Sequence, residues 1–131
     1  MISLETARKL KDAGLPWEPQ IGDWYSYESY LGPGKTENIT TIVRPVSGLE
    51  WSHGFTDNKP PEDAIWLPRL DQLLTEIERR RYKWTMRKYN KGVSVEIRLE
   101  LEDRGWGSET AEEGTAEAVL WLLGQEATPS V

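Results

Sequence analysis

Tyr82-Lys83-Trp84-Thr85-Met86-Arg87-Lys88-Tyr89-Asn90-Lys91-Gly92-Val93-Ser94-Val95-Glu96-Ile97-Arg98-Leu99-Glu100-Leu101 is the most strongly patterned stretch of the chain. Tyr82, Trp84 and Met86 alternate with Lys83, Thr85 and Arg87; Val93, Val95, Ile97, Leu99 and Leu101 alternate with Ser94, Glu96, Arg98, Glu100 and Glu102. A period of two belongs to strands with one buried face, so a β-hairpin is predicted. Parity sets its register. The apolar set is even-numbered in the first run and odd-numbered in the second, so paired numbers must sum to an odd value. A turn centred on Asn90-Lys91 places Met86 opposite Val95, Trp84 opposite Ile97 and Tyr82 opposite Leu99. An odd loop without a bulge would place Met86 opposite Glu96 and invert a face, so the even loop is expected.

Helices flank the hairpin. Trp66, Leu70, Leu73, Leu74 and Ile77 recur at helical spacing, with Pro68 acceptable in the first turn, and predict a helix near 66–81. After the hairpin, Gly105-Trp106-Gly107 reads as a turn. Thr110 with Glu113, or Thr115 after Gly114, can cap a last helix. Thr115 is preferred because Gly114 would weaken a helix interior by about 1 kcal/mol relative to Ala. Ala116, Val119, Leu120 and Leu123 form its stripe, so this helix is placed near 116–123, with 125–131 as a frayed tail. The expected core is Leu73, Ile77, Trp84, Val95, Ile97, Val119 and Leu120.

The first half is less regular. Ser3 as N-cap, Leu4, Ala7 and Leu10 at helical spacing and Gly14 past the end predict a short helix near 3–13. Trp24-Tyr25-Ser26-Tyr27 reads as a strand, Gly32-Pro33-Gly34 as a turn, and Thr36 to Arg44 as a second strand. A third short strand is placed near Leu49 to Ser52, and a surface loop near 55–63. The expectation is one α+β domain over 1–131. It has a single antiparallel sheet of about four to five strands, with the helices mainly on one face.

Composition excludes more than it selects. There is no cysteine, which removes thiol catalysis, thiolate zinc sites and disulfides. A formal net charge of −6 opposes attraction of the whole molecule to nucleic acid or anionic membrane. The start, Met1 to Lys11, has no apolar run behind its basic residues, and Ala118 to Leu123 is too short to span a bilayer. No membrane contact and a cytoplasmic location are expected. Trp121 and Leu122 widen the last helix's stripe, and Trp17, Trp24, Tyr25, Tyr27 and Tyr30 add aromatic surface. A homodimer is expected to cover it.

Candidate chemistry is sparse. His53, the only histidine, lies in Trp51-Ser52-His53-Gly54-Phe55-Thr56-Asp57. It has neither a nucleophile elbow nor further His or Cys ligands beside it, and reads as a surface-loop residue. Asp57, Glu62 and Asp63 match no calcium-loop spacing. Glu96-Ile97-Arg98 has the outline of an acidic-x-basic nuclease strand, but Arg is no proton shuttle; charge pairing with Lys83 and Arg87 accounts for Glu96. No catalytic residue, metal site or cofactor is expected. The sharpest signal is a run of bases without an acid: Arg79, Arg80, Arg81, Lys83, Arg87, Lys88 and Lys91. These can contact phosphates, with Tyr89 at the hairpin tip for stacking. The preferred reading, given the net charge, is that they close a helix by its dipole and solvate a hairpin face.

From Trp66 to Leu123 the order helix, strand, strand, helix, with Arg81-Tyr82 closing the first helix and Gly114-Thr115-Ala116-Glu117-Ala118 opening the last, resembles the phage "ABA sandwich" type of domain. Ser3-Leu4-Glu5-Thr6-Ala7, Lys9-Leu10, Ala13-Gly14 and Gly22-Asp23-Trp24-Tyr25 are similar to small prophage proteins of Gram-positive bacteria. The resemblance implies a bacterial, mobile-element setting. It transfers no functional residue. The expected function is a small non-enzymatic accessory or interaction protein with a protein partner, the alternative being a nucleic-acid-binding module built on the basic segment 79–91.

Overall fold

The computed structural model describes residues 1–44 and 60–127. Among them the order is α1 (Leu4–Asp12), β1 (Trp24–Gly32), β2 (Lys35–Ile42), β3 (Ile65–Leu67), α2 (Leu70–Arg79), β4 (Lys83–Tyr89), β5 (Gly92–Arg98), β6 (Asp103–Ser108) and α3 (Ala111–Ala127). The fold is α+β, but its strands form two antiparallel three-stranded sheets, β2-β1-β3 and β4-β5-β6, and not one. Each hairpin takes its third strand from nearby. β3 pairs with the second side of β1, with Tyr25 opposite Trp66, and β6 pairs with the second side of β5, with Val95 opposite Trp106. One edge of each hairpin is therefore occupied by a strand of its own half. The strand expected near Leu49 to Ser52 lies outside the described residues, as does most of the loop placed near 55–63.

The β4–β5 hairpin has the register that parity requires: Met86 opposite Val95, Trp84 opposite Ile97, and Tyr89 opposite Gly92 around Asn90-Lys91. The alternation ends sooner than expected. Leu99 N–H donates to the Glu102 carbonyl across a tight turn, and Leu101 is 98% exposed.

Trp66 and Leu67 are strand, not the first turn of a helix. The residue before a proline is pushed toward extended backbone, so Leu67 before Pro68 remains extended. α2 then starts after Arg69, whose N–H donates to Gln72 Oε1 at 2.8 Å. It closes with Tyr82 N–H on the Ile77 carbonyl and Arg81 N–H on that of Glu78. Arg81 itself has φ 66°, a left-handed position usually given to glycine.

α3 starts five residues before the expected Thr115 cap, counting to Thr110, whose hydroxyl accepts the Glu113 N–H at 3.2 Å. Glu113 reaches across to α1, accepting from Ser3 N–H and Thr6 Oγ1, each at 2.6 Å. Its charge thus sits at a helix N-terminus, where an anion is favoured. Gly114 lies inside α3 because the helix presses on the sheet there. A Cβ at 114 would sit 3.5 Å from both Ser108 Cβ and Val95 Cγ2. That is ordinary contact for a methyl and leaves no room beyond it. Gly114→Ala is therefore expected to raise stability by about 0.5–1 kcal/mol, and Gly114→Leu to lower it, as urea denaturation would read. The helix continues through Gly124 to Ala127, so 125–127 are not a frayed tail.

The main core joins Ala7 and Leu10 of α1, Leu67, Leu73 and Ile77, Ile97, and Ala116, Val119, Leu122 and Leu123 of α3. Leu122 is 2% exposed, whereas Leu120 and Trp84, both expected inside, are half-buried at the core's margin. The wide stripe of α3 is covered within the chain. Trp121 packs against Trp106 at 5.7 Å, and Arg104 lies 4.8 Å over its ring. Trp17, Tyr25 and Tyr27 contact one another in turn, at 5.9 and 6.1 Å. The aromatics that suggested a second copy are thus engaged internally, except Tyr30, which is 72% exposed.

Candidate functional site

The seven basic residues do not gather into one surface. Arg80 turns inward, its side chain 15% exposed, and binds the Glu76 carboxylate at 2.9 Å, the Glu76 carbonyl at 2.8 Å and Glu126. Burial pulls its guanidinium pKa down, and the hydrogen bonds it donates to Glu126 and Glu76 outweigh this and hold it above the ordinary value. Arg79 is exposed and pairs with Glu76 at 3.2 Å. Arg81 is exposed at the end of α2, and Lys91 sits in the hairpin turn. Lys83 and Arg87 lie on the face of β4 turned away from the helices, while Lys88, opposite Val93, has the other parity.

That outward face has its own pattern. Lys83 stands directly opposite Arg98, and Glu96 stands between Thr85 and Gly105, so Lys83 and Arg87 are only its diagonal neighbours. Like charges directly opposed on a sheet are unfavourable. Among the described residues no ion pair within 4.0 Å relieves Lys83, Arg87 or Arg98. β4 is also a sheet edge, where basic side chains oppose pairing with another chain. Gly105-Trp106-Gly107, expected as a turn, is the middle of β6. Its two glycines fall on the outward face and Trp106 faces α3.

A second arrangement was not visible in the sequence. Trp17, from the segment after α1, and Trp66, from β3, stack with ring centroids 6.0 Å apart and planes 3° apart, an offset geometry favoured by aromatic pairs. Both rings line two clefts. One, of about 410 Å³, is walled by Ala7, Leu10, Leu15 and three prolines, Pro19, Pro60 and Pro61. The other, of about 460 Å³, is polar, with Asp23, Gln72, Glu76 and Arg79 in its wall. The Trp66 indole N–H is buried and has no acceptor among the described residues.

Asp23 fixes this corner. It is 2% exposed, and its Oδ2 accepts from the Trp17 indole N–H and the Gln20 N–H, both at 3.0 Å. Its Oδ1 accepts from Gln72 Nε2 at 2.7 Å and stands 3.8 Å from Arg69. A buried carboxylate needs such partners, and here they tie the segment before β1 to the first turn of α2. Nearby, burial raises the Tyr25 phenol above its ordinary pKa. The sequence pointed to Asp23 only as the residue after Gly22 at a strand start, to Trp17 only as aromatic surface, and to Trp66 only as the first position of a helical stripe.

The remaining candidates are dispersed. His53 and Asp57 lie outside the described residues, and Glu62 and Asp63 are exposed. Among the described residues no group of three His, Cys, Asp or Glu could hold a metal ion, and no helix is long and apolar enough to cross a membrane. Comparison with family models, curated proteins and solved structures gives no match.

Proposed function

We propose that the chain is a small non-enzymatic binding protein that seats a ligand against the stacked indoles of Trp17 and Trp66. The observation that carries this is the pair itself. Two parallel rings from distant segments stand between two clefts, each in the size range of small-molecule sites. A buried indole N–H without an acceptor adds a donor that a ligand can satisfy. The carboxylates beside it, Asp23 and Glu76, are held by amides and arginines, which suits recognition better than proton transfer. The likeness of residues 3–25 and 66–123 to small prophage proteins supports a mobile-element setting and an accessory role.

A second reading has its own observation: the opposed Lys83 and Arg98, with Arg87 along the same open sheet face, favour an anionic strand such as single-stranded nucleic acid. Glu96 and Asp103 on that face weigh against it. One experiment separates the two. Uniformly ¹⁵N-labelled protein is titrated with indole, a neutral aromatic probe, and separately with a short single-stranded oligonucleotide. The first reading expects saturable shifts of the Trp17 and Trp66 indole signals at about millimolar indole. The second expects shifts at Thr85, Arg87 and Ser94 that fade steeply as salt rises. Indole shifts absent at both tryptophans would overturn the first.

A further inference from the structure

We infer that the polar cleft beside Trp17 and Trp66 takes a neutral, polyhydroxylated ligand, a saccharide ring; this rests on the reading of the tryptophan pair as a binding site and names its ligand class. Three features of the wall converge on that chemistry.

The first is the aromatic side. An indole presents a flat face with negative charge density. The C–H face of a pyranose is flat, apolar and slightly positive, so the two match in shape and charge. The second is the polar side. Asp23, Gln72 and Glu76 are already oriented by internal bonds: Gln72 Nε2 to Asp23, and Arg79 and Arg80 to the two oxygens of Glu76. Asp23 is filled, its Oδ2 accepting from Trp17 and Gln20 and its Oδ1 from Gln72, and serves as the anchor; Gln72, Glu76 and Arg79 keep capacity beyond their internal bonds. A carboxylate oxygen has a second lone pair, an amide nitrogen a second hydrogen, and the Arg79 guanidinium further N–H groups. Hydroxyls both donate and accept, and so can meet fixed donors and fixed acceptors side by side. Groups held in place before binding lose little freedom on binding.

The third is charge balance. Asp23 faces Arg69, and Glu76 faces Arg79 and Arg80, so these two buried carboxylates are compensated before any ligand arrives, while Glu18, at the exposed rim of the same wall, adds a negative charge. A metal ion or an ammonium group would have to displace those arginines. A phosphate would meet the Asp23 and Glu76 carboxylates. A wholly apolar ligand would strip water from polar groups and give nothing back, which is costly; it belongs in the neighbouring cleft of prolines. A neutral ligand with hydroxyls on its rim and C–H bonds on its face fits what remains.

The test follows the Trp17 and Trp66 indole signals while maltotriose, cellotriose and chitotriose are each added to about 10 mM. At least one is expected to give a saturable shift of Trp66. Its dissociation constant should weaken at least about tenfold in Arg79→Ala, an exposed position whose change should leave the thermal midpoint nearly unmoved. Binding unchanged in Arg79→Ala would overturn the assignment to this cleft. Indole shifts without any saccharide response would overturn the saccharide and leave the binding reading standing. Silence to indole and saccharides alike would overturn both.

Discussion

Truncating Leu73 to alanine is expected to lower folding stability by about 2–5 kcal/mol, and Leu122→Ala by a similar amount. Leu120→Ala should cost only about 1–2 kcal/mol. Leu73 is fully buried and Leu122 is 2% exposed, with α2 and α3 packed against one another at the centre of the main core. Each leucine removed there leaves a cavity that its neighbours cannot wholly fill. Leu120 is half-buried, so its truncated site opens partly to water and collapses more easily. With a total stability of about 5–15 kcal/mol for a chain of this kind, a Leu73→Ala, Leu122→Ala double variant should be largely unfolded. Urea denaturation with an unchanged slope reads the three costs. Equal losses at Leu120 and Leu122 would mean that α3 is rotated from the face described.

That contrast shows where pattern reading succeeds and where it stops. Period-two alternation determined the β4–β5 register residue by residue, because a slip of one would have buried Glu96 in place of Val95. The start of α1 was equally plain, since Ser3 caps it by accepting the Thr6 N–H and Ala7 and Leu10 are buried. α3 was harder. Its middle, Ala118 to Leu123, is an unbroken apolar run, so periodicity could not choose between Leu120 and Leu122. Nor could the sequence see that a side chain at 114 longer than a methyl would run into Ser108 and Val95. β3 and β6 were missed for a related reason. Each is short and is held by a partner strand; Ile65-Trp66-Leu67 and Asp103 to Ser108 carry little alternation of their own. Without them, two hairpins naturally read as one sheet.

The candidate site was almost illegible in the sequence. Trp17 and Trp66 are far apart in the chain, and nothing local marks them as a stacked pair. Asp23 draws partners from 17, 20 and 72, a constellation that only the pairing of β3 with β1 brings together. The basic run, by contrast, was conspicuous, but its arrangement in space was not legible. Charge along a chain says nothing of which face each residue takes, and the helix end at Arg79 followed by a left-handed Arg81 sends neighbouring arginines in different directions.

Arg80→Ala is accordingly expected to destabilise the fold by about 3 kcal/mol, at the low end of what severing a buried ion pair costs, whereas Lys83→Ala should stay within about 0.5 kcal/mol. The Glu76 side chain is 5% exposed and that of Arg80 15%. Without Arg80, the Glu76 carboxylate keeps only Arg79, itself 61% exposed and screened by water. The loss is not only of charge. Arg80 also donates to the Glu76 carbonyl and holds Glu126 of α3 against the end of α2. Arg80→Lys should recover little, because an ammonium lacks the planar fork that serves three acceptors at once. Pairing Arg80→Met with Glu76→Leu should recover most of the stability, since well-packed apolar residues can replace a buried pair without leaving a charge behind. Denaturation of the four variants decides the matter. If Arg80→Ala proves as mild as Lys83→Ala, Arg80 belongs to the surface with the other bases, and the basic segment regains a member as an anion site.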